Sequence, residues 1–172
     1  MKQRSDFIFL ASIVLLAGAL VWVVSGTLEQ RIIQVGDTAP DFTVTTDHGR
    51  TITRENFGGK VLVLNFWATW CPPCIEETPS LNAFARTYGP QGVVVLGVST
   101  DRNEKLYRQF VQMYNVGFET ARDPESNIPA SYGTFQLPET YIIDRSGKVV
   151  EKVISNQNWM DPDFLARIKS ML

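Results

Sequence analysis

Two cysteines that lie three residues apart, Cys71 and Cys74, are the part of the sequence best suited to chemistry. A thiolate attacks a disulfide sulfur to form a mixed disulfide, and a second thiol within reach can resolve that intermediate. The preceding segment, Val61–Trp67, is an almost continuous apolar run typical of a buried strand. A helix is predicted to begin just after Cys71, because Pro72 suits the first helical position. A cysteine pair at such a strand–helix junction is a redox signature.

The two cysteines are expected to have different roles. The pKa of a thiol falls at a helix N-terminus, so Cys71 is the predicted nucleophile and Cys74, one turn later, the predicted resolving thiol. Glu77 follows on the same helical face, where a poorly solvated carboxylate would have a raised pKa and could carry protons for Cys74. The alternative for Glu77 is a favourable charge near the helix N-terminus. Glu76 lies about 100° round the helix and is expected to be solvated.

Other uses of the cysteine pair have less support. A structural disulfide that closes so short a loop would constrain the unfolded chain little. A structural zinc site needs four cysteine or histidine ligands, whereas the chain holds Cys71, Cys74 and His48. Copper(I) binding stays open as an alternative, because soft thiolates select that ion. We therefore predict a redox-active pair with no resident cofactor and no metal.

The N-terminal segment differs from the rest of the chain. Residues Phe7–Ser25 carry no charge, and as a helix they would span roughly 28 Å, close to the bilayer core of about 30 Å. Lys2 and Arg4 precede this segment, which predicts a cytoplasmic N-terminus and a domain on the far side of the membrane. A cleaved signal peptide is the alternative, because the small residues 17–19 resemble a cleavage site. The apolar run continues past them, which favours an uncleaved anchor.

Four segments are therefore predicted along the chain. They are a cytoplasmic stub at 1–6, a transmembrane signal-anchor helix at 7–25, a linker at 26–34 and a folded domain at 35–172. The expected location is the inner or cytoplasmic membrane, with a single span and the domain in the periplasm or its extracytoplasmic equivalent. The formal net charge of −2 offers no electrostatic case for nucleic acid.

Hydrophobic periodicity predicts an α/β domain in which strands alternate with helices. Such alternation implies parallel pairing, and a late hairpin makes the predicted sheet mixed. The helix at 104–114 is expected to present Leu106, Phe110 and Met113 on one face. The predicted strands are 41–45, 51–53, 61–67, 93–98, 118–121, 141–143 and 148–154, and further helices are predicted after Cys71, at 126–132 and after Asp161.

Three stretches of sequence resemble a known family. Asn65–Cys74, followed by Pro79, resembles a thioredoxin-family active site. Val35–Phe42 looks like the opening segment of the TlpA/ResA-like branch and of the peroxiredoxins, and Leu137–Asp144 is similar to the family's cis-proline loop and following strand. The resemblance covers 35–172 and is specific, because several motifs occur in order. It implies a thioredoxin fold, with a mixed central sheet flanked by helices. The residues themselves add an N-terminal β-hairpin, since the turn residues 47–50 separate two predicted strands, and the preceding transmembrane helix.

The resemblance also implies roles for individual residues. Pro138 matches the family's cis-proline, which packs beside the cysteine pair, and Leu137 before it would offer backbone to a bound substrate. Asn65 stands where many thioredoxins have a buried aspartate that helps proton transfer to the second cysteine. Glu77 matches an acidic residue of the TlpA/ResA-like branch and is the expected substitute. Trp70 adjoins the nucleophile and is expected to contribute to substrate binding.

The remaining aromatic residues and the histidine are given other roles. Trp67 could shape the binding surface, and core packing explains it equally well. Trp159 and Met160 precede the last predicted helix and are expected to be packing residues. His48 lies in a predicted hairpin tip and is expected at the surface.

The resemblance further implies a reductase of specific protein disulfides, of the kind that keeps thiols reduced for haem attachment. The dipeptide Pro72-Pro73 between the cysteines offers no histidine to stabilise the Cys71 thiolate, which argues against a strong oxidant. The expected partners are a protein thiol or disulfide such as apocytochrome c, a membrane electron donor of the thiol-relay type, and the membrane itself. The alternatives are a peroxiredoxin-like thiol peroxidase and a copper-binding or copper-delivery module.

Overall fold

The computed structural model describes residues 2–27, 32–57 and 59–172. The chain forms two units, Met1–Arg31 and Ile32–Leu172. The first contains helix α1 (Lys2–Thr27). Within the described part of the chain we find no helix long and apolar enough to cross a membrane, so the transmembrane helix stays a prediction. Met1 of the predicted stub and residues 28–31 of the predicted linker lie outside the described residues.

The second unit opens with a hairpin that is separate from the main sheet. Strands β1 (Thr43–Thr45) and β2 (Thr51–Thr53) pair antiparallel, with Val44 opposite Ile52. These two apolar side chains are buried, while the threonines on either side of Val44 face solvent. This alternation is typical of a strand with one covered face, and it confirms the predicted hairpin.

A mixed sheet of five strands forms the centre of the unit. The strand order is β5-β4-β3-β6-β7, in which β3, β4 and β5 run parallel and β6 and β7 are antiparallel to their neighbours. The mixed sheet is as predicted. The strands are β3 (Val61–Trp67), β4 (Val93–Ser99), β5 (Glu119–Arg122), β6 (Glu139–Ile143) and β7 (Val149–Ile154).

Four helices and a short 3₁₀ turn connect or follow these strands. Their N-termini carry capping side chains where the sequence supplies them: Asn103 accepts a hydrogen bond from the backbone of Leu106, and Asp161 accepts two at the last helix. The elements are α2 (Pro72–Tyr88), the 3₁₀ turn (Gly89–Gln91), α3 (Glu104–Met113), α4 (Asn127–Ser131) and α5 (Pro162–Lys169).

The two faces of the sheet have separate cores. Because successive residues of a strand point to opposite faces, Leu62 and Leu64 join the cluster that contains the hairpin residue Ile52. Val61 and Val63 join the cluster formed with α2 and α5. β3 is buried on both faces, which accounts for its unbroken apolar character.

One predicted helix face is wrong in detail. In α3 the buried residues are Tyr107 and Phe110, whereas Leu106 and Met113 are exposed. Tyr107 can be buried because its hydroxyl is 2.9 Å from a carboxylate oxygen of Asp47, to which it donates a hydrogen bond. Hydrophobicity alone ranks leucine and methionine above tyrosine, so the pattern misplaced the face.

The close packing around Gly97 in β4 can be tested by substitution. A Cβ there would lie 2.8 Å from the ring of Phe118 and 2.9 Å from the indole nitrogen of Trp67. Gly97→Ala should therefore lower the free energy of unfolding by about 1–3 kcal/mol, measured by urea denaturation. Gly89→Ala is the matched control, because a Cβ at Gly89 meets nothing within 4 Å. Equal stability of both variants would contradict this packing.

Candidate active site

The cysteine pair lies where β3 ends and α2 begins. Cys71 is the N-cap residue of α2, and its sulfur accepts a hydrogen bond of 3.3 Å from the backbone N–H of Cys74. The two residues form a disulfide and are almost fully buried. After reduction, the same N–H and the positive end of the helix dipole would stabilise a thiolate at Cys71. The nucleophilic role of Cys71 stays a prediction.

A buried aspartate holds the loop before Cys71. Asp101 accepts hydrogen bonds from the backbone N–H of Thr69 at 2.9 Å and from its hydroxyl at 2.7 Å. The hydroxyl of Ser99, at the end of β4, donates to the same carboxylate at 2.6 Å. Asp101 was not predicted from the sequence. The available signal was a run of polar residues directly after a buried strand, which is where parallel strands present their functional groups.

Cys71 lines a surface groove of about 490 Å³. Two large exposed rings, Trp70 and Phe135, lie along it, with 68% and 70% of their surfaces accessible. Trp70 was predicted as a binding residue; Phe135 was not. Further lining comes from Pro72, Pro73, Thr100, Ser126, Pro129, Thr134, Gln136 and Leu137.

The loop before β6 forms one side of this groove. The peptide bond between Leu137 and Pro138 is cis, as predicted. Leu137 lines the groove and packs against the cluster that contains both cysteines, while Pro138 is buried. The structure thus brings Cys71, Trp70 and Leu137 together, with Pro138 directly behind.

Trp67 has a packing role. It is buried and packs against the rings of Tyr107 and Phe110, with centroid distances of 5.8 and 4.9 Å. The groove is lined by other residues, so core packing explains Trp67 better than substrate binding does. His48 is exposed beside Glu119, as expected for a hairpin tip.

Glu77 is a buried carboxyl group with three hydrogen-bond donors. The side-chain amide of Asn65 donates to one oxygen at 2.8 Å. The indole N–H of Trp159 and the backbone N–H of Gln157 donate to the other, at 3.1 and 3.3 Å. Burial raises the pKa of Glu77 from 4.5 to about 7, and the three hydrogen bonds oppose that rise. The group can therefore take up and release protons near neutral pH.

Two partners of Glu77 were not predicted as such. Asn65 also donates to the hydroxyl of Thr140 at 2.8 Å, so it links β3, β6 and α2. Trp159, expected to be a packing residue, is fully buried and also acts as a donor. An asparagine inside an apolar strand was the signal for the first; no local signal marked Trp159. Glu76 is exposed, as expected, and accepts a hydrogen bond from Asn156.

A second buried carboxylate was also missed. Glu139 follows Pro138, is fully buried and lies 2.6 Å from the ammonium nitrogen of Lys152. The hydroxyl of Tyr141 donates to the same oxygen of Glu139 at 2.7 Å. Since Glu139 and Thr140 point to opposite faces of β6, this ion pair lies on the other side of the sheet from Glu77.

Comparisons with known proteins agree with this geometry. The profile of the AhpC/TSA family matches residues 35–152. Thiol-disulfide oxidoreductase ResA of Bacillus cereus is 38% identical over 73% of this chain and 72% of its own, and that of Oceanobacillus iheyensis is 34% identical over 88% and 83%. The crystal structure of a proposed thiol:disulfide interchange protein DsbE from Chlorobium tepidum superposes with a TM-score of 0.74, at 29% identity over 81% of this chain and 98% of that one.

The fold, with a cysteine pair at the N-terminus of α2, defines a thioredoxin-like thiol–disulfide oxidoreductase. The chain belongs to the AhpC/TSA family, and its similarity to the curated relatives makes it a thiol–disulfide oxidoreductase of the ResA type.

The raised pKa of Glu77 predicts a pH-dependent stability. Between about pH 4.5 and 7 the unfolded chain releases this proton while the folded protein retains it, so folding stability falls as pH rises through that window. Glu77→Gln removes the titratable group and therefore this pH dependence. The side-chain amide of Asn65 can turn over so that its oxygen accepts a hydrogen bond from the new glutamine. A pKa difference of one between the folded and unfolded states is worth about 1.4 kcal/mol. The free energy of unfolding of the variant should therefore exceed that of wild type by about 3 kcal/mol at pH 8, and the two values should be much closer at pH 4.5.

Urea denaturation of the oxidised proteins at both pH values checks this. Glu76→Gln is the matched control, since it makes the same change on an exposed neighbour. A stability difference between Glu77→Gln and wild type that does not vary with pH would contradict the assignment.

Proposed function

We propose that the protein is a membrane-anchored, extracytoplasmic reductase of specific protein disulfides, of the cytochrome c maturation type. One observation carries the proposal: Cys71 lines an open groove, whereas Cys74 is not among its lining residues and lies one helical turn from the buried Glu77. This arrangement suits a two-step exchange in which one cysteine meets the substrate and the other works behind it.

The exchange begins with the reduced enzyme. The thiolate of Cys71 attacks one sulfur of the substrate disulfide; a bond forms between them, and the other substrate sulfur leaves as a thiolate that takes a proton. Cys74 then gives its proton to the carboxylate of Glu77 and attacks the sulfur of Cys71. The mixed disulfide breaks, the second substrate thiolate leaves and is protonated, and the Cys71–Cys74 disulfide remains. Two electrons pass from the enzyme to the substrate.

The groove favours an unfolded or extended polypeptide as substrate. Trp70 and Phe135 expose large apolar rings along the groove that Cys71 also lines, where they can bind apolar side chains next to a substrate cysteine. In the described chain, the loop residue Leu137 makes no intrachain backbone hydrogen bond. Its N–H and C=O are therefore free to pair with an extended segment. Apocytochrome c, whose cysteines must be reduced before haem attachment, fits this proposal.

The proposed direction of electron transfer and the proposed location of the catalytic domain are inferred from the sequence. Pro72-Pro73 provides no histidine to stabilise the Cys71 thiolate, which favours a reductant over a strong oxidant. The uncharged segment Phe7–Ser25, preceded by Lys2 and Arg4, supports a single anchor with the catalytic domain outside the cytoplasm. A membrane donor of the thiol-relay type would then restore the dithiol. Carbonate washing of membranes tests the anchor, because an anchored protein stays in the pellet.

Substitution of each cysteine separates the two steps. Cys71→Ser should abolish disulfide exchange, because the first attack needs its thiolate. Cys74→Ser should accumulate mixed disulfides with the substrate, because nothing resolves them. Both outcomes can be read by non-reducing electrophoresis and mass spectrometry after incubation with a disulfide-bonded protein. A fully active Cys71→Ser variant would show that the assigned nucleophile is wrong.

The redox midpoint decides the direction. The full-length protein in mild detergent is equilibrated in graded thiol–disulfide buffers, and the oxidised fraction of the cysteine pair is measured by thiol alkylation and mass spectrometry. A midpoint below about −220 mV is expected for a reductase. A midpoint near about −120 mV would make the protein an oxidant that introduces disulfides. The proposal that it is a reductase would then be wrong.

A further inference from the structure

A second cavity lies further along α2 than the cysteine groove. It has a volume of about 310 Å³ and is formed by one face of α2 and by the segment that follows β7. Among the described residues, none lines both this side cavity and the groove. Its lining includes Glu76, Glu77, Ser80, Asn156, Gln157 and Asn158.

Glu77 lines this side cavity and is also hydrogen-bonded to the interior. One of its oxygens accepts a hydrogen bond from Asn65, in the buried strand β3, and the other accepts from the segment after β7. Glu77 also lies one turn along α2 from Cys74, which has about 1% of its surface exposed. The cavity is lined by Pro79 and by polar side chains, with Glu76 as its other ionisable group, and it is large enough for water to reach those polar groups.

Hydrogen bonds hold the cavity wall in place. The backbone N–H of Ser155 donates to the carbonyl of Pro138 at 2.9 Å. The backbone N–H of Trp159 donates to the hydroxyl of Ser80 at 3.3 Å, and that hydroxyl is 3.4 Å from the carbonyl of Gln157. The segment 155–159 is thus attached both to α2 and to the cis-proline loop.

A protein substrate creates a problem for the second step. While it is joined to Cys71 it covers the groove, and the proton that leaves buried Cys74 then needs another way to solvent. We propose that the side cavity is the proton exit, so that Glu77 passes the proton of Cys74 to solvent there while a protein substrate still occupies the groove. The inference rests on the proposed function, in which Glu77 accepts that proton.

The step is balanced without any further reactant. The S–H bond of Cys74 breaks, its proton moves to the Glu77 carboxylate, and its electron pair forms the bond to the sulfur of Cys71. The bond between Cys71 and the substrate sulfur breaks, and the substrate leaves as a thiolate. Glu77 then returns its proton to water in the side cavity and is ready for the next turnover.

Chemical rescue tests the route. Glu77→Ala removes the carboxylate but leaves its hydrogen-bond donors, which can then bind formate. These donors are Asn65, Trp159 and the backbone of Gln157. The reduced full-length variant is mixed with insulin, a protein disulfide, or with glutathione disulfide, a small one, and resolution of the mixed disulfide is followed by acid quench and mass spectrometry. Without formate, resolution should be about 100-fold slower than in wild type.

The proposal predicts that sodium formate, compared with sodium chloride at equal ionic strength, restores resolution at least about tenfold with both substrates. Rescue with glutathione disulfide alone would mean that the acid enters through the groove, and the proposal would be wrong. Absence of rescue with either would show that a small acid does not reach position 77 from solvent, which also overturns it. If wild type exchanges no disulfides at all, the proposed function itself fails.

A bulky side chain at the cavity mouth gives a second, independent readout. Asn156 is exposed and lines the side cavity, so Asn156→Trp in the Glu77→Ala background should reduce formate rescue several-fold with insulin. Asn56→Trp is the matched control, because Asn56 is exposed and lies outside the cavity lining. Undiminished rescue in the Asn156→Trp variant would place the entrance elsewhere and overturn the proposal.

Discussion

The hydrogen bonds to the Glu77 carboxyl group join the parts of the structure on which the site depends. Asn65 reaches it from the central strand, and Trp159 and Gln157 reach it from the segment after the last strand. A carboxylate with so little exposed surface is unfavourable unless it is hydrogen-bonded. Since burial outweighs these bonds, its pKa lies near 7 rather than at its ordinary value. The same contacts therefore stabilise the fold around α2 and set the protonation of the site.

The sheet topology decides what else meets at this place. β3 and β4 run parallel, so their carboxyl ends lie at one edge, where Cys71 follows the first and Asp101 the second. The antiparallel β6 starts at that edge and brings Leu137 and Pro138 beside the cysteines. Besides Asp101, two more buried carboxyl groups lie there on opposite faces of the sheet, Glu77 on one and Glu139 on the other. The edge is consequently rich in groups whose burial depends on specific partners.

Much of the secondary structure could be read from the sequence, because each element has a local cause. The apolar run of β3, the Pro72 start of α2 and the Asp161 cap of α5 all act within a few residues. The assignment of the buried face of α3 failed where a distant partner decided it. Tyr107 is buried because Asp47, from the hairpin, accepts a hydrogen bond from its hydroxyl, and no pattern within the helix carries that information.

The sequence by itself determined the cysteine pair at a strand–helix junction and the α/β class, since spacing and local periodicity suffice for these. The cis-proline loop was expected from the resemblance to the thioredoxin family. Only the tertiary structure decided that Glu77 is buried, that Trp159 and Asn65 are its donors, and that Asp101 holds the loop before Cys71. Trp159 and Glu77 lie more than eighty residues apart in the chain. The physical reason is that desolvation and hydrogen-bond satisfaction are properties of a packed environment, and that environment exists after distant segments have come together.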